Sequence, residues 1–573
     1  MALSTASVAA LTTAQIAGLT TTSVGLLTAP QLSALSTSQV AAFTTSGIAA
    51  ITKTQVTGFT TAGLAGLTTG DVAALTTSAT AGIATNRIAG LGTSNVAALT
   101  TNQVAAISAA ALGGLGTSNI AALTTSNVAI MTSKAVAGLT TAELAALNTG
   151  SVAALTTNSM GGLSAAQFAG LTTGAAAALT TNQVTALSKS QVGGLTTSEL
   201  AALNTGSVLA LTTSALNSIS ATRISGLTTA GVAALSTNQI VALSNGALKG
   251  FGTSNVAALT TGQLAGLTVK SVAGLSTAEV AALTTSQVAG LTTSAQFGLS
   301  AAQIGVLTTG AVAAMTTSGI AALTGTTIAG MGTSRVAALT TSAVAALTVQ
   351  TLAGLTTGEL AGLTTSEVAV LTTSALNGLP ATKIAGLTTS SIAALSTSGL
   401  AALTKAEVGT LTTGQLAALT TSGIAALTTT GISALSAAKV ASLTTSAIAA
   451  LTTNAAAVLS GTVIAGLTTA GVAAMTTSEI AILSKGAIGG LTTGELAALT
   501  TGAVAGLTTT GASGLTANNV KGLTTSSVAA MTTNQIIGLA VATASAFTTA
   551  QVAALTTANA NLLFLDAHGN FHS

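Results

Sequence analysis

The sequence predicts an all-α solenoid of short capped helices, one per octad, with about 3.4 octads in each superhelical turn. Three observations predict it. A unit close to Leu-Thr-Thr-x-x-Val-Ala-Ala repeats without insertion or deletion, so the 560 residues from Leu3 to Leu562 divide into 70 octads. Within the unit, large apolar residues and helix-capping residues keep fixed places. The departures from the consensus recur every three to eight octads, in multiples of a longer period.

The octad is numbered from its first large apolar residue, as in Leu139-Thr140-Thr141-Ala142-Glu143-Leu144-Ala145-Ala146. Position 1 is always Leu, Ile, Met or Phe, and it precedes the helix as one half of a hydrophobic staple. Position 2 is the predicted N-cap, drawn from Thr, Ser, Asn148, Asn204 and glycines such as Gly92 and Gly332, whose short polar groups suit that site. Ala84, Pro380 and Ala540 depart from this rule. Positions 3 and 4 form the first turn, where Pro30 fits because its missing N–H has no helical partner to lose.

Position 5 is N3, where Gln or Glu closes a capping box. All nine acidic residues of the array stand there: Asp71, Glu143, Glu199, Glu279, Glu359, Glu367, Glu407, Glu479 and Glu495. A carboxylate in the first turn meets free N–H groups and the positive end of the helix dipole. Position 6 completes the staple and is large and apolar except at Thr80, Ala176, Gln296, Ala456, Ala512, Ala544 and Ala560. Position 8 is nearly always Ala or Gly, which predicts that backbones approach there too closely for a larger side chain. The alternative is a β-solenoid, in which Thr-Thr and Val form strands, but position 1 then falls on the wrong face and Ala-Ala makes a poor strand core.

An unbroken array spans residues 1–562, and residues 563–573 form a tail of different composition that is expected to cap the exposed core. Burying one Leu and one Val stabilises by roughly 3 to 6 kcal/mol, whereas ordering eight residues costs about 8 to 16 kcal/mol. One octad therefore cannot fold alone and depends on its neighbours.

Hydrophobic residues make up 49% of the chain and mean hydropathy is +0.77, yet Thr-Thr interrupts every apolar run before the roughly 18 residues that a membrane span needs. No membrane span is expected. The N-terminus lacks a basic segment followed by an apolar one, so no cleaved secretory signal is expected either. The net charge of +3 is too diffuse, and aromatic residues are too scarce, for a nucleic-acid partner. Cysteine is absent, which removes disulfides and thiolate chemistry.

The longer period emerges from the basic residues. Lys53 in the seventh octad and Lys521 in the sixty-fifth are 58 octads apart, a distance that 17 steps of 3.4 octads fill. This places the basic residues on one stripe of a superhelix. Acidic residues follow it: Glu143, Glu199, Glu279 and Glu495 each lie one octad after Lys134, Lys189, Lys270 and Lys485, and Glu407 shares an octad with Lys405. The expectation is a solvated stripe of charge pairs, each contributing about 0 to 1 kcal/mol, that sets register between rods or docks a partner surface.

No catalytic, cofactor or metal site is expected. His568 and His572 are spaced i, i+4 beside Asp566, but Gly569 and Asn570 disfavour the helix that would join them on one metal. A Ser-His-Asp arrangement lacks partners in the array, and no phosphate-cradling Gly-Lys-Thr loop is present. An enzyme is not expected.

Stretches such as Leu419-Thr-Thr-Ser-Gly-Ile-Ala-Ala-Leu427 and Leu283-Thr-Thr-Ser-Gln-Val-Ala-Gly-Leu291 resemble the LTTxQVAAL octapeptide repeats of bacterial surface and secreted structural proteins. The resemblance extends over nearly the whole chain and implies an extracellular or cell-surface structural role. The expected function is a stiff rod that self-assembles into a filament, fibre or sheath, with other copies and cell-surface or sheath components as partners. The alternative is a surface-binding module, ice-binding or adhesive, that uses the regular Thr array. An intracellular scaffold is the third option.

Overall fold

Residues 3–563 are described by a computed structural model. The expected tail cap, together with Asp566, His568 and His572, lies outside them. Each of the 70 octads forms one short helix, 68 of them α-helical and two 3-10, Ile88–Leu91 and Val520–Gly522. No strand occurs among the described residues, so the helical reading holds over the β-solenoid.

The octad that begins at Leu139 shows why each helix starts and stops. Thr140 is extended (φ −74°, ψ 162°), its hydroxyl accepts from the Glu143 N–H at 3.2 Å, and its carbonyl accepts from the Leu144 N–H at 3.0 Å. The helix runs from Thr141 to Ala146 and ends where Leu147 returns to extended backbone, its N–H bonded to the Leu144 carbonyl. A helix this short is unstable in isolation, so tertiary burial must hold it. Leu139 and Leu144, positions 1 and 6, are both buried, as the staple predicts.

The exceptional residues behave in instructive ways. Ala84 offers no hydroxyl to the first turn, and its octad relaxes to the 3-10 helix at Ile88–Leu91. Pro380 and Ala540 also cap without a side-chain bond, yet the helices Ala381–Ile384 and Val541–Ala544 form. Gln296 occupies the apolar position 6 and is fully buried, its amide donating to the Val288 and Leu291 carbonyls at 3.2 Å each. Replacing a capping hydroxyl should be measurable: Thr284→Ala is expected to cost about 1 kcal/mol locally, read as faster amide exchange confined to Thr285–Gly290 and the turns against it.

The chain forms two compact units, Met1–Gly298 and Leu299–Ser573. In each, a helix packs against the helix three octads further along, as Thr125–Ala129 does against Thr149–Ala154 in the first unit and Thr469–Ala474 against Thr493–Ala498 in the second. Side-chain hydrogen bonds between turns span 25 to 31 residues, as from Thr37 to Ala62 and from Gln55 to Val24. One superhelical turn therefore closes after between three and four octads, in keeping with the 3.4-octad period.

Position 8 is the point of closest approach. A Cβ added at Gly58, Gly226 or Gly250 would lie 2.2, 2.4 and 2.1 Å from the carbonyl oxygen of Ala29, Thr197 and Ala221, each 29 residues earlier and each at position 3. Such contacts place rigid backbone where a side chain would have to go, which explains the restriction to small residues.

Candidate functional site

Position 5 turns out to be the residue that joins one turn to the next. Gln287 closes its own capping box, its Oε1 accepting from the Thr284 N–H at 2.8 Å. Its Nε2 reaches the previous turn and donates to the carbonyls of Val256, Ala257 and Leu259 at 3.2, 3.0 and 2.7 Å. Gln103, Gln183, Gln263 and Gln535 repeat the arrangement. One buried carboxamide thus satisfies backbone groups in two turns, groups that cost about 1–3 kcal/mol each if left without partners.

Five of the basic residues act in the same way. Arg87, Arg223, Arg335, Lys383 and Lys439 all stand at position 5 and donate to carbonyls of the turn before, among them Phe59 for Arg87, Gly193 for Arg223, Leu307 for Arg335, Leu355 for Lys383 and Gly409 for Lys439. Sequence reasoning took these for stripe residues. Their place in the octad was the available signal.

The glutamates of the expected stripe are not on the surface. Glu143, Glu199, Glu279, Glu407 and Glu495 are buried, with exposures of 2–3%. Their Oε2 atoms accept from the N–H groups of Thr140, Thr196, Ser276, Thr404 and Thr492 at 2.6–2.8 Å. The capping box draws each carboxylate inward, so solvated charge pairs do not form with Lys134, Lys189, Lys270, Lys405 or Lys485, all of which are exposed. Every Asp and Glu among the described residues is buried, which leaves a surface whose charge is positive.

A carboxylate cannot donate to the previous turn as Gln does, and three octads meet this need with glycine. Gly116, Gly252 and Gly332 sit at position 2 with φ of +82°, +79° and +73°. Their N–H groups donate to Oε1 of Glu143, Glu279 and Glu359, 27 residues later, at 3.1, 2.9 and 2.8 Å. Ordinary N-caps have φ near −70° and almost the same ψ, so the positive φ turns over the peptide between positions 1 and 2. The N–H then faces the next turn in place of the carbonyl. The displaced carbonyls of Leu115 and Met331 find donors in their own octads, Asn119 and Arg335, at 3.0 Å. Glycine therefore matches glutamate across a turn, and other caps match glutamine.

Exposed apolar side chains accompany the lysines. Ile130 and Lys134 border a groove of about 380 Å³ with Ala105 and Ala109, and Val241 and Lys270 border one of about 330 Å³ with Asn245. In the second unit Ile482, 49% exposed, lies three residues before Lys485. Position-3 threonines such as Thr285 and Thr341 are exposed, while their position-2 neighbours are used as caps. The described residues hold no cluster of three or more His, Asp or Glu that could take a metal ion, and no helix is long and apolar enough to cross a membrane.

Residues 136–173, 232–269 and 256–293 match the ALTTAQ repeat, and the chain is an octapeptide-repeat protein. No curated protein matches it.

Proposed function

We propose that the chain is a non-catalytic structural scaffold that assembles with copies of itself into a filament, fibre or sheath at a bacterial surface. The observation that carries this reading is the regularity of the array: 70 helical octads in one register, with the polar groups of position 5 consumed in joining turn to turn. What faces solvent is mainly Thr, Ser and Ala, a neutral surface that gives little repulsion between like copies.

The inward glutamates change how the stripe enters this reading. With its carboxylates buried, a lysine stripe repels a second lysine stripe, so copies associate through neutral faces and the lysines with their apolar neighbours meet an anionic component of the surface. Sedimentation and negative-stain electron microscopy of the purified chain test this. Ordered fibres at low micromolar concentration that persist in high salt are expected. Monomers at every concentration and ionic strength would overturn the assembly role, and fibres that dissolve in salt would mean that charge, not neutral surface, holds the copies together.

A further inference from the structure

Six buried acidic residues lack the glycine that would turn an N–H towards them. Glu479 is the best defined, because the peptide preceding Thr452, 27 residues earlier, keeps the ordinary orientation (φ −71°, ψ 153°). In that orientation Gln415 and Gln535 of the same unit donate to position-1 carbonyls 28 residues before them, Leu387 and Leu507, both at 2.6 Å. The corresponding carbonyl for Glu479 is that of Leu451, an acceptor. Glu479 Oε2 is held by the Thr476 N–H at 2.6 Å, which commits one oxygen to the cap and leaves the other to the previous turn.

Glu199 shows what this register does to an oxygen. Its Oε1 is buried without a hydrogen-bond partner, and Thr172 below it also has the ordinary φ of −72°. Two acceptors brought together in a buried place repel, and a proton between them turns the repulsion into a hydrogen bond.

We infer that Glu479 is a proton-binding site that joins two turns of the array, its neutral carboxylic O–H donating to the Leu451 carbonyl, and that loss of this proton to solvent loosens the turn. Burial pushes the Glu479 carboxyl above its ordinary value of 4.5, against the lowering effect of the Thr476 N–H and hydroxyl. Its surroundings offer no charge to compensate. The helices packed on it, Thr453–Ala457 and Thr501–Ala505, carry no titratable side chain, and neither does the preceding helix Thr469–Ala474. The following helix carries only Lys485, which is exposed.

The sign follows from proton linkage. A carboxyl raised in the folded state binds more protons folded than unfolded, so its stabilisation is complete below 4.5 and is lost as pH rises through the folded value. The site would make this turn tighter in acid, the opposite of a cap glutamate matched to glycine.

Hydrogen exchange of the full chain tests it, followed by mass spectrometry over residues 445–482 and corrected for the intrinsic pH dependence of exchange. Protection there is expected to fall by about tenfold per pH unit once the pH exceeds the folded value, while residues 510–538, which contain Gln535, stay flat. Glu479→Gln should hold high protection at every pH, because Gln donates without a proton to lose. Thr452→Gly should flatten the profile by a different route, since it allows the N–H to turn towards an ionised carboxylate. A wild-type profile no steeper than that of Glu479→Gln would overturn the inference. So would a pH-dependent fall that survives in Glu479→Gln.

Discussion

Gly252→Ala is expected to destabilise the turn between Thr253–Ala257 and Thr277–Ala281 by about 2–4 kcal/mol, and Gly252→Thr combined with Glu279→Gln is expected to restore it. A Cβ at Gly252 meets no atom within 4 Å, so steric exclusion cannot produce the loss. The cause is φ. Alanine avoids +79° and returns the peptide to its ordinary orientation, which points the Phe251 carbonyl, not an N–H, at the buried Glu279 Oε1. The double variant recreates the pair found one octad further along, where Thr260 lies below Gln287 and the Gln287 amide donates to the Leu259 carbonyl at 2.7 Å. Hydrogen exchange across residues 245–283 measures both. The two single substitutions should each be worse than the pair, which is the signature of coupling between contacting residues.

Gly330→Val is expected to remove about 3 kcal/mol from the second unit, whereas Gly358→Ala should be neutral or stabilise by roughly 0.5–1 kcal/mol. A Cβ at Gly330 would lie 2.3 Å from the Ala301 carbonyl oxygen and 2.7 Å from its Cα, and backbone cannot move aside as a flexible side chain can. Gly358 is a helical position-4 residue with nothing within 4 Å. The contrast isolates position 8 from the general cost of changing glycine. Urea unfolding with exchange at single-peptide resolution should place the Gly330→Val defect in the turns around it, since stability in such arrays is shared among neighbours only.

What could be read in the sequence was whatever the octad settles within itself. Thr140, Glu143 and Leu144 declare a cap, a capping box and a staple by their spacing alone, and the structure builds all three. Position 8 was legible too, because a close approach leaves only Ala and Gly able to fit. The superhelical period survived in the phase of the basic residues, although five of those residues turned out to be brackets between turns. The inward turn of Glu143 and its fellows was not legible as a consequence for the surface. A capping box written Thr-x-x-Gln and one written Thr-x-x-Glu look alike locally, and they differ in what the previous turn must present, 27 to 31 residues away. The three glycines with positive φ carry that information, in an octad three places earlier where no local pattern calls for it.

X-ray diffraction from an aligned, concentrated sample of the full chain tests the central claim most directly, that stacked turns of capped helical octads form the scaffold. The expected pattern has reflections at helix-packing spacings of about 8–10 Å and lacks the strand reflection. A strong reflection at about 4.7–4.8 Å would mean that Thr-Thr and Val pair as β-strands, and would contradict both the capped-helix solenoid and the bracket at position 5.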